Sequence, residues 1–210
     1  MPPLSDLRLT DNDRRELLAL AHHAISEAVR RQRIPDLPPT SQRLAEPGGA
    51  FVTIRCDGKL RGCIGRVDTA NALAETVAQC AISAALQDPR FRPLTEGEIP
   101  RLELEISVVS ELAPIQPEEV EVGTHGIVVS RAATRGLLLP QVAVERNWSA
   151  TQFIEETCRK AGLEPGAWRN PETKLYAFTA EVFSECELGN SPASPSKQSG
   201  PPEVAGRSPR

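Results

Sequence analysis

Apolar positions first recur at helical spacing. Leu17, Leu18, Ala21, Ala24, Ile25, Ala28 and Val29 fall on one stripe, which predicts a helix over residues 10–31. Thr10, followed three positions later by Asp13, predicts a capping box with Asp in the usual Glu position. Pro35, Pro38 and Pro39 end the pattern. The period then changes. Residues 50–56 and 59–64 are rich in β-formers and flank Asp57-Gly58, a pair suited to a type I′ turn because both turn residues need positive φ. A hairpin is expected there. Helical spacing returns over residues 70–87, with Leu73, Val77, Cys80, Ala81 and Ala84 inward. Asp88-Pro89 stops that helix, since the residue before a proline is pushed out of the α region.

Residues 102–109 alternate. Leu102, Leu104, Ile106 and Val108 take one face, and Glu103, Glu105 and Ser107 the other, as in a half-buried strand. Residues 126–130 and 136–139 read as short buried strands. Residues 150–161 read as a helix closed by Gly162. Residues 174–183 read as one last strand, with Tyr176, Phe178, Ala180 and Val182 on a common face. Hairpins mixed with separate helices, without regular alternation, predict an α+β fold of antiparallel sheets flanked by helices.

Composition sets the boundaries. From Glu187 to Arg210 Ser, Pro and Gly dominate and apolar periodicity is lost, so 187–210 is expected to be a disordered tail. Residues 1–9 are expected to be a flexible N-terminus, leaving 10–186 as one domain. Hydrophobic residues make up 40% and aromatics 4%, so the core must rest on Leu, Val, Ile and Ala. The net charge of -4 argues against nucleic-acid binding, which draws on a basic excess. The five cysteines include no CxxC pair and no zinc or iron–sulfur spacing. No metal site is expected, and free thiols in a reducing compartment fit better than a disulfide framework. No signal peptide and no membrane-length apolar run is visible, which predicts a cytoplasmic protein.

The hairpin carries the most chemistry. With Asp57-Gly58 as its turn, Ile54 would face Arg61 and Val52 would face Cys63. Arg61 and Cys63 would then share a face with Val52 and Ile54, close enough for the guanidinium to favour a thiolate. Cys56 and Cys63 would lie roughly 13 Å apart, too far for a disulfide. Gly62 and Gly65 bracket Cys63, and glycine within a strand marks a bulge or a close approach by backbone or ligand. Two readings stand. Either Gly-Cys-Ile-Gly presents a reactive Cys63 beside a groove, or Cys63 is a small buried hydrophobe and the glycines allow tight packing.

Other residues carry paired readings too. Asp88 and Arg90 would address a ligand with Phe91 as anchor, or simply stop a helix. His125 would serve Cys63 as general base, or bond to loop backbone. Gln141, Glu145 and Trp148 would line a pocket, or start and cap a short helix. His22 and His23 diverge by about 100° on a helix and make a poor metal pair. Glu103 and Glu105 are better explained as a solvated face. Gly58, Gly62 and Gly65 lack the helix and Lys-Ser/Thr of a phosphate loop.

Seven segments, in order, resemble the AMME-chromosomal-region domain family, called AmmeMemoRadiSam system protein A in microbes. They are Gly49-Ala50-Phe51-Val52-Thr53, Leu60-Arg61-Gly62-Cys63-Ile64-Gly65, Asp88-Pro89-Arg90-Phe91, Leu104-Glu105-Ile106-Ser107-Val108, His125-Gly126, Gly136-Leu137-Leu138-Leu139-Pro140-Gln141 and Cys158-Arg159-Lys160-Ala161-Gly162-Leu163. The likeness runs from about residue 12 to residue 186. It implies a larger and a smaller lobe with a cleft between them, and makes the segment from Leu60 to Gly65 the family hallmark. It also implies association with a Memo-like protein and a radical-SAM protein. The expected function is an enzyme or enzyme component acting with those partners through a cleft around Cys63. Cys63 and His125 would be its catalytic candidates, and Arg61, Gly62, Gly65, Asp88, Arg90 and Gln141 its binding candidates. No cofactor follows. The alternative is a non-catalytic scaffold recognising a partner protein or metabolite.

Overall fold

The capping box forms as the sequence predicts. In the computed structural model, which describes residues 9–31, 41–67 and 70–188, the Asp13 carboxylate accepts from the Thr10 backbone N–H at 3.0 Å. The Asp13 N–H donates to the Thr10 hydroxyl at 3.2 Å. Helix α1 (Asp11–Arg31) starts there and buries Leu17, Leu18, Ala21, Ala24 and Ile25. Pro35, Pro38 and Pro39 lie outside the described residues. So do residues 1–8 and the tail from 189 onward. Leu9, placed in the expected flexible N-terminus, is instead buried. At the other end Leu188, placed in the expected tail, packs against the core.

The hairpin is β1 (Gly49–Cys56) and β2 (Lys59–Arg66). Asp57 and Gly58 have φ of 51° and 73°, both positive as a type I′ turn requires. β1 also pairs with β3 (Leu102–Val109), and β3 with β8 (Ala180–Ser184), giving an antiparallel sheet of order β2-β1-β3-β8. Helices α1 and α2 (Leu73–Leu86) cover one face of it with a core of Val52, Ile54, Val77, Ala81, Leu104 and Ile106. This is the larger lobe.

The second sheet is antiparallel, in the order β4-β7-β5-β6, from β4 (Ala113–Pro114), β5 (Gly126–Arg131), β6 (Thr134–Leu138) and β7 (Lys174–Phe178). The short helix α3 (Pro140–Glu145) and α4 (Ala150–Lys160) belong to this smaller lobe. Its core gathers Ile127, Val129, Phe153, Ile154, Cys158 and Ala177. A third cluster joins the lobes: Val67 and Val109 from the first meet Val128 and Phe178 from the second.

The expected last strand, 174–183, is two strands. Thr179 separates β7, in the second sheet, from β8, in the first. The segment therefore ties the lobes together, and its proposed common face does not survive. Phe178 is buried between the lobes while Val182 is 42% exposed. β3 is likewise only partly half-buried. Glu103 is exposed, but Ser107 and Val109 on the same face are buried, Val109 against Val128 and Phe178 of the second lobe.

Candidate functional site

The hairpin register holds the main correction. Arg55 pairs with Leu60, but Ile54 pairs with Gly62 and Thr53 with Cys63, so Arg61 is the extra residue of a bulge. One inserted residue moves every later side chain to the opposite face. Gly62, not Arg61, therefore lies with Ile54 beneath α2. A Cβ there would sit 2.1 Å from the Ala84 carbonyl oxygen, so only glycine lets helix and strand approach this closely. Without the bulge a guanidinium would be driven into that contact.

Cys63 consequently does not share a face with Val52 and Ile54. It lies opposite Thr53, whose hydroxyl donates to the sulfur at 3.4 Å. Nor does Arg61 attend the thiol. Its guanidinium meets Glu98 at 2.7 Å and the carbonyls of Arg92 and Pro93 at 2.6 and 3.2 Å. That pairing lowers the Glu98 carboxyl to about 2, against the opposing effect of burial. Arg61 thus fastens β2 to the loop that follows α2. Cys56 and Cys63 are both free thiols, as the sequence predicts.

The loop after α2 turns at Asp88 and closes on Cys63. Asp88 is 4% exposed and accepts four hydrogen bonds from two residues. The Cys63 backbone N–H donates to its Oδ2 at 2.9 Å. The Arg90 N–H and Nε donate to its Oδ1 at 3.1 and 2.9 Å, and Arg90 Nη2 donates to Oδ2 at 2.7 Å. Arg90 Nη2 also reaches the Cys63 carbonyl at 3.3 Å. The Asp88–Arg90 pair thus occupies both outward backbone groups of Cys63, as a neighbouring strand would. Arg90 holds the Asp88 carboxyl well below the usual carboxylate range, although burial opposes it. The arginine stays half-exposed, with its guanidinium carbon 5.4 Å from the Phe91 ring centre. Asp88 and Arg90 therefore stop the helix and fix the Cys63 strand at once.

The half-buried Cys63 opens onto a hollow of about 540 Å³ between the lobes. Phe51, Ile64, Gly65, Asp88 and Arg90 come from the first lobe; Leu137, Leu139, Val142 and Lys160 come from the second. Two further sequence candidates are not brought to it. Gln141 sits in α3 outside the lining. His125 is 7% exposed, and its Nδ1 accepts from the Glu121 backbone N–H at 3.1 Å, bonded to its own loop and outside the lining. Lys160 was missed. It was visible only within a family segment, at the end of a helix whose position over the hollow depends on the second lobe. Among the described residues no group of three or more His, Cys, Asp or Glu could hold a metal ion. No helix among them is long and apolar enough to cross a membrane.

Residues 18–183 match the family described as AMMECR1. Protein MK0488 of Methanopyrus kandleri is 41% identical over 191 residues, which cover 86% of this chain and 92% of that protein. A protein of Aquifex aeolicus is 36% identical over 183 residues, covering 83% of this chain and 94% of its own length. The crystal structure of the uncharacterized protein PH0010 from Pyrococcus horikoshii matches with a TM-score of 0.78 and 37% identity, over 84% of this chain and 93% of that one.

Proposed function

Since the chain belongs to the AMMECR1 family, we propose that it is an enzyme or enzyme component whose working surface is the interlobe hollow, with Cys63 as its reacting group. The observation that carries this reading is the way Cys63 is held. Asp88 and Arg90 bond its backbone N–H and C=O while the residue stays half-buried beside the hollow. A cysteine kept for packing needs neither. Buried Cys80 and Cys158 lie inside helices, and burial pushes the Cys158 thiol up. Rigid placement of a nucleophilic atom beside a cavity is what a reacting group requires. His125 does not enter this reading.

A Memo-like protein and a radical-SAM protein are the proposed partners. The chemistry would then be a step shared with them, on a substrate presented in the hollow. Binding without chemistry is the alternative, and it would use the same surface.

Complementation of a deletion strain separates the two. Cys63→Ser retains a hydroxyl that can bond to Thr53, so its stability should stay within about 1 kcal/mol of wild type. The folded variant should fail to restore the metabolite profile, and deletion of the Memo-like partner should produce the same metabolite change. A Cys63→Ser protein that restores the profile would remove the chemical role and select the binding reading.

A further inference from the structure

The hollow around Cys63 does not end at Gly65. A second hollow of about 280 Å³ continues from it, sharing Phe51, Gly65 and Leu137 and adding Arg66 and Arg135. Together they form one furrow between β2 and β6, each the outermost strand of its sheet. Four lining side chains are cationic: Arg90 and Lys160 beside Cys63, and Arg66 and Arg135 farther along. Among the described residues the one acidic lining residue is Asp88, and Arg90 neutralises it at 2.7 Å. Among the described residues of the lining, four cations less one carboxylate leave an excess of three positive charges. No carboxylate among the described residues pairs with Lys160, Arg66 or Arg135.

That excess stands on a chain whose net charge is -4. A cleft lined by one sign of charge, with low-dielectric walls, focuses the field and concentrates counter-ions. The walls between the cations are apolar, from Phe51, Leu137, Leu139 and Val142. The strand edge adds polar backbone. Cys63 turns its N–H and C=O outward to Asp88 and Arg90, and antiparallel alternation turns those of Gly65, two residues on, to the same side. Cations at both ends, an apolar middle and an open backbone edge fit one kind of occupant.

We propose that this furrow binds an organic anion of metabolite size, with more than one phosphate or carboxylate group on an apolar body. The size of the two hollows suits such a ligand. The inference rests on the reading above in one respect: it names the class of molecule brought to Cys63.

The full-length protein can be tested with bis-ANS, an extended apolar body bearing two sulfonates, beside the uncharged N-phenyl-1-naphthylamine. Saturable bis-ANS binding is expected, weakened about tenfold by Lys160→Glu and by the double change Arg66→Glu with Arg135→Glu. The uncharged probe should not respond to either change. Bound bis-ANS should also slow alkylation of Cys63 by iodoacetamide while leaving exposed Cys186 unaffected. Charge reversals that leave bis-ANS affinity within about twofold, or a Cys63 that alkylates equally fast with the dye bound, would overturn the proposal. Loss of function in Cys63→Ser with no furrow binding sinks this inference alone. Furrow binding with a fully functional Cys63→Ser sinks the chemical reading alone.

Discussion

Two hollows among the described residues differ in organisation, and the larger of the two is the less organised. A groove of about 620 Å³ on the second lobe lies between residues 114–118 and 168–176, with Trp168, Tyr176 and three prolines in its walls. It is built by one lobe. Two buried polar atoms in residues of its wall, Trp168 Nε1 and Thr173 Oγ1, have no hydrogen-bond partner among the described residues. The interlobe hollow is smaller, yet strands and a loop of the two lobes and two helices of the second meet in it. Its buried carboxylate is fully engaged, and its partner arginine stays open to solvent. Volume reports concavity. The Asp88–Arg90–Cys63 network reports investment of buried polar groups at one place, which folding tolerates only when every bond is made.

The largest expected effect tests the support beneath that network. Gly62→Ala would press a methyl group against the Ala84 carbonyl, so strand and helix must separate. A loss of about 3 kcal/mol is expected in chemical denaturation. A loss below about 1 kcal/mol would mean that the close approach does not hold Cys63 in place.

Asp88→Asn should come next. It keeps the shape but weakens the bonds to Arg90 and replaces an acceptor with a donor, at a cost of about 1–3 kcal/mol near neutral pH. Its pH dependence has a definite sign. A carboxyl lowered by folding stabilises fully above its ordinary value, 3.8 for Asp88, and loses that contribution as pH falls toward the folded value. The gap between wild type and Asp88→Asn should therefore close as the pH falls below 3.8. Glu98, lowered from 4.5 to about 2, adds an acid-sensitive contribution that both proteins keep. A gap that stays constant through this range would show that the carboxylate charge contributes nothing.

The second groove supplies the smallest and opposite effect. Thr173 is 9% exposed and its hydroxyl has no partner among the described residues, so Thr173→Val removes an unsatisfied group at nearly constant volume. Stability should rise by up to about 1 kcal/mol, without change in Cys63 alkylation. A fall of that size would show that the hydroxyl is satisfied by water, and would narrow the contrast between the hollows.

Much of this architecture was legible from local pattern. The Thr10–Asp13 box, the Asp57-Gly58 turn, the helix stop at Asp88-Pro89 and the glycine after α4 each depend on a few neighbouring residues, and each forms as expected. The resemblance also anticipated the two lobes. Several residues that line the interlobe hollow were legible in the sequence, but their wiring was not. Cys63, Gly65, Asp88 and Arg90 meet in the hollow, whereas Arg61 turns away to Glu98 and His125 stays with its own loop.

Gly62 was the one local sign of the bulge, and by itself a glycine does not say where a ladder slips. That choice was made by α2, because only the shifted register puts a residue without a side chain against Ala84. The division of 174–183 at Thr179 was decided the same way, by two sheets competing for one apolar segment. Local periodicity determines which residues can form a strand, since side chains alternate whatever surrounds them. Which face is buried, and which cations end up around a cysteine, depends on packing against elements far away in the chain, and only the folded molecule contains that information.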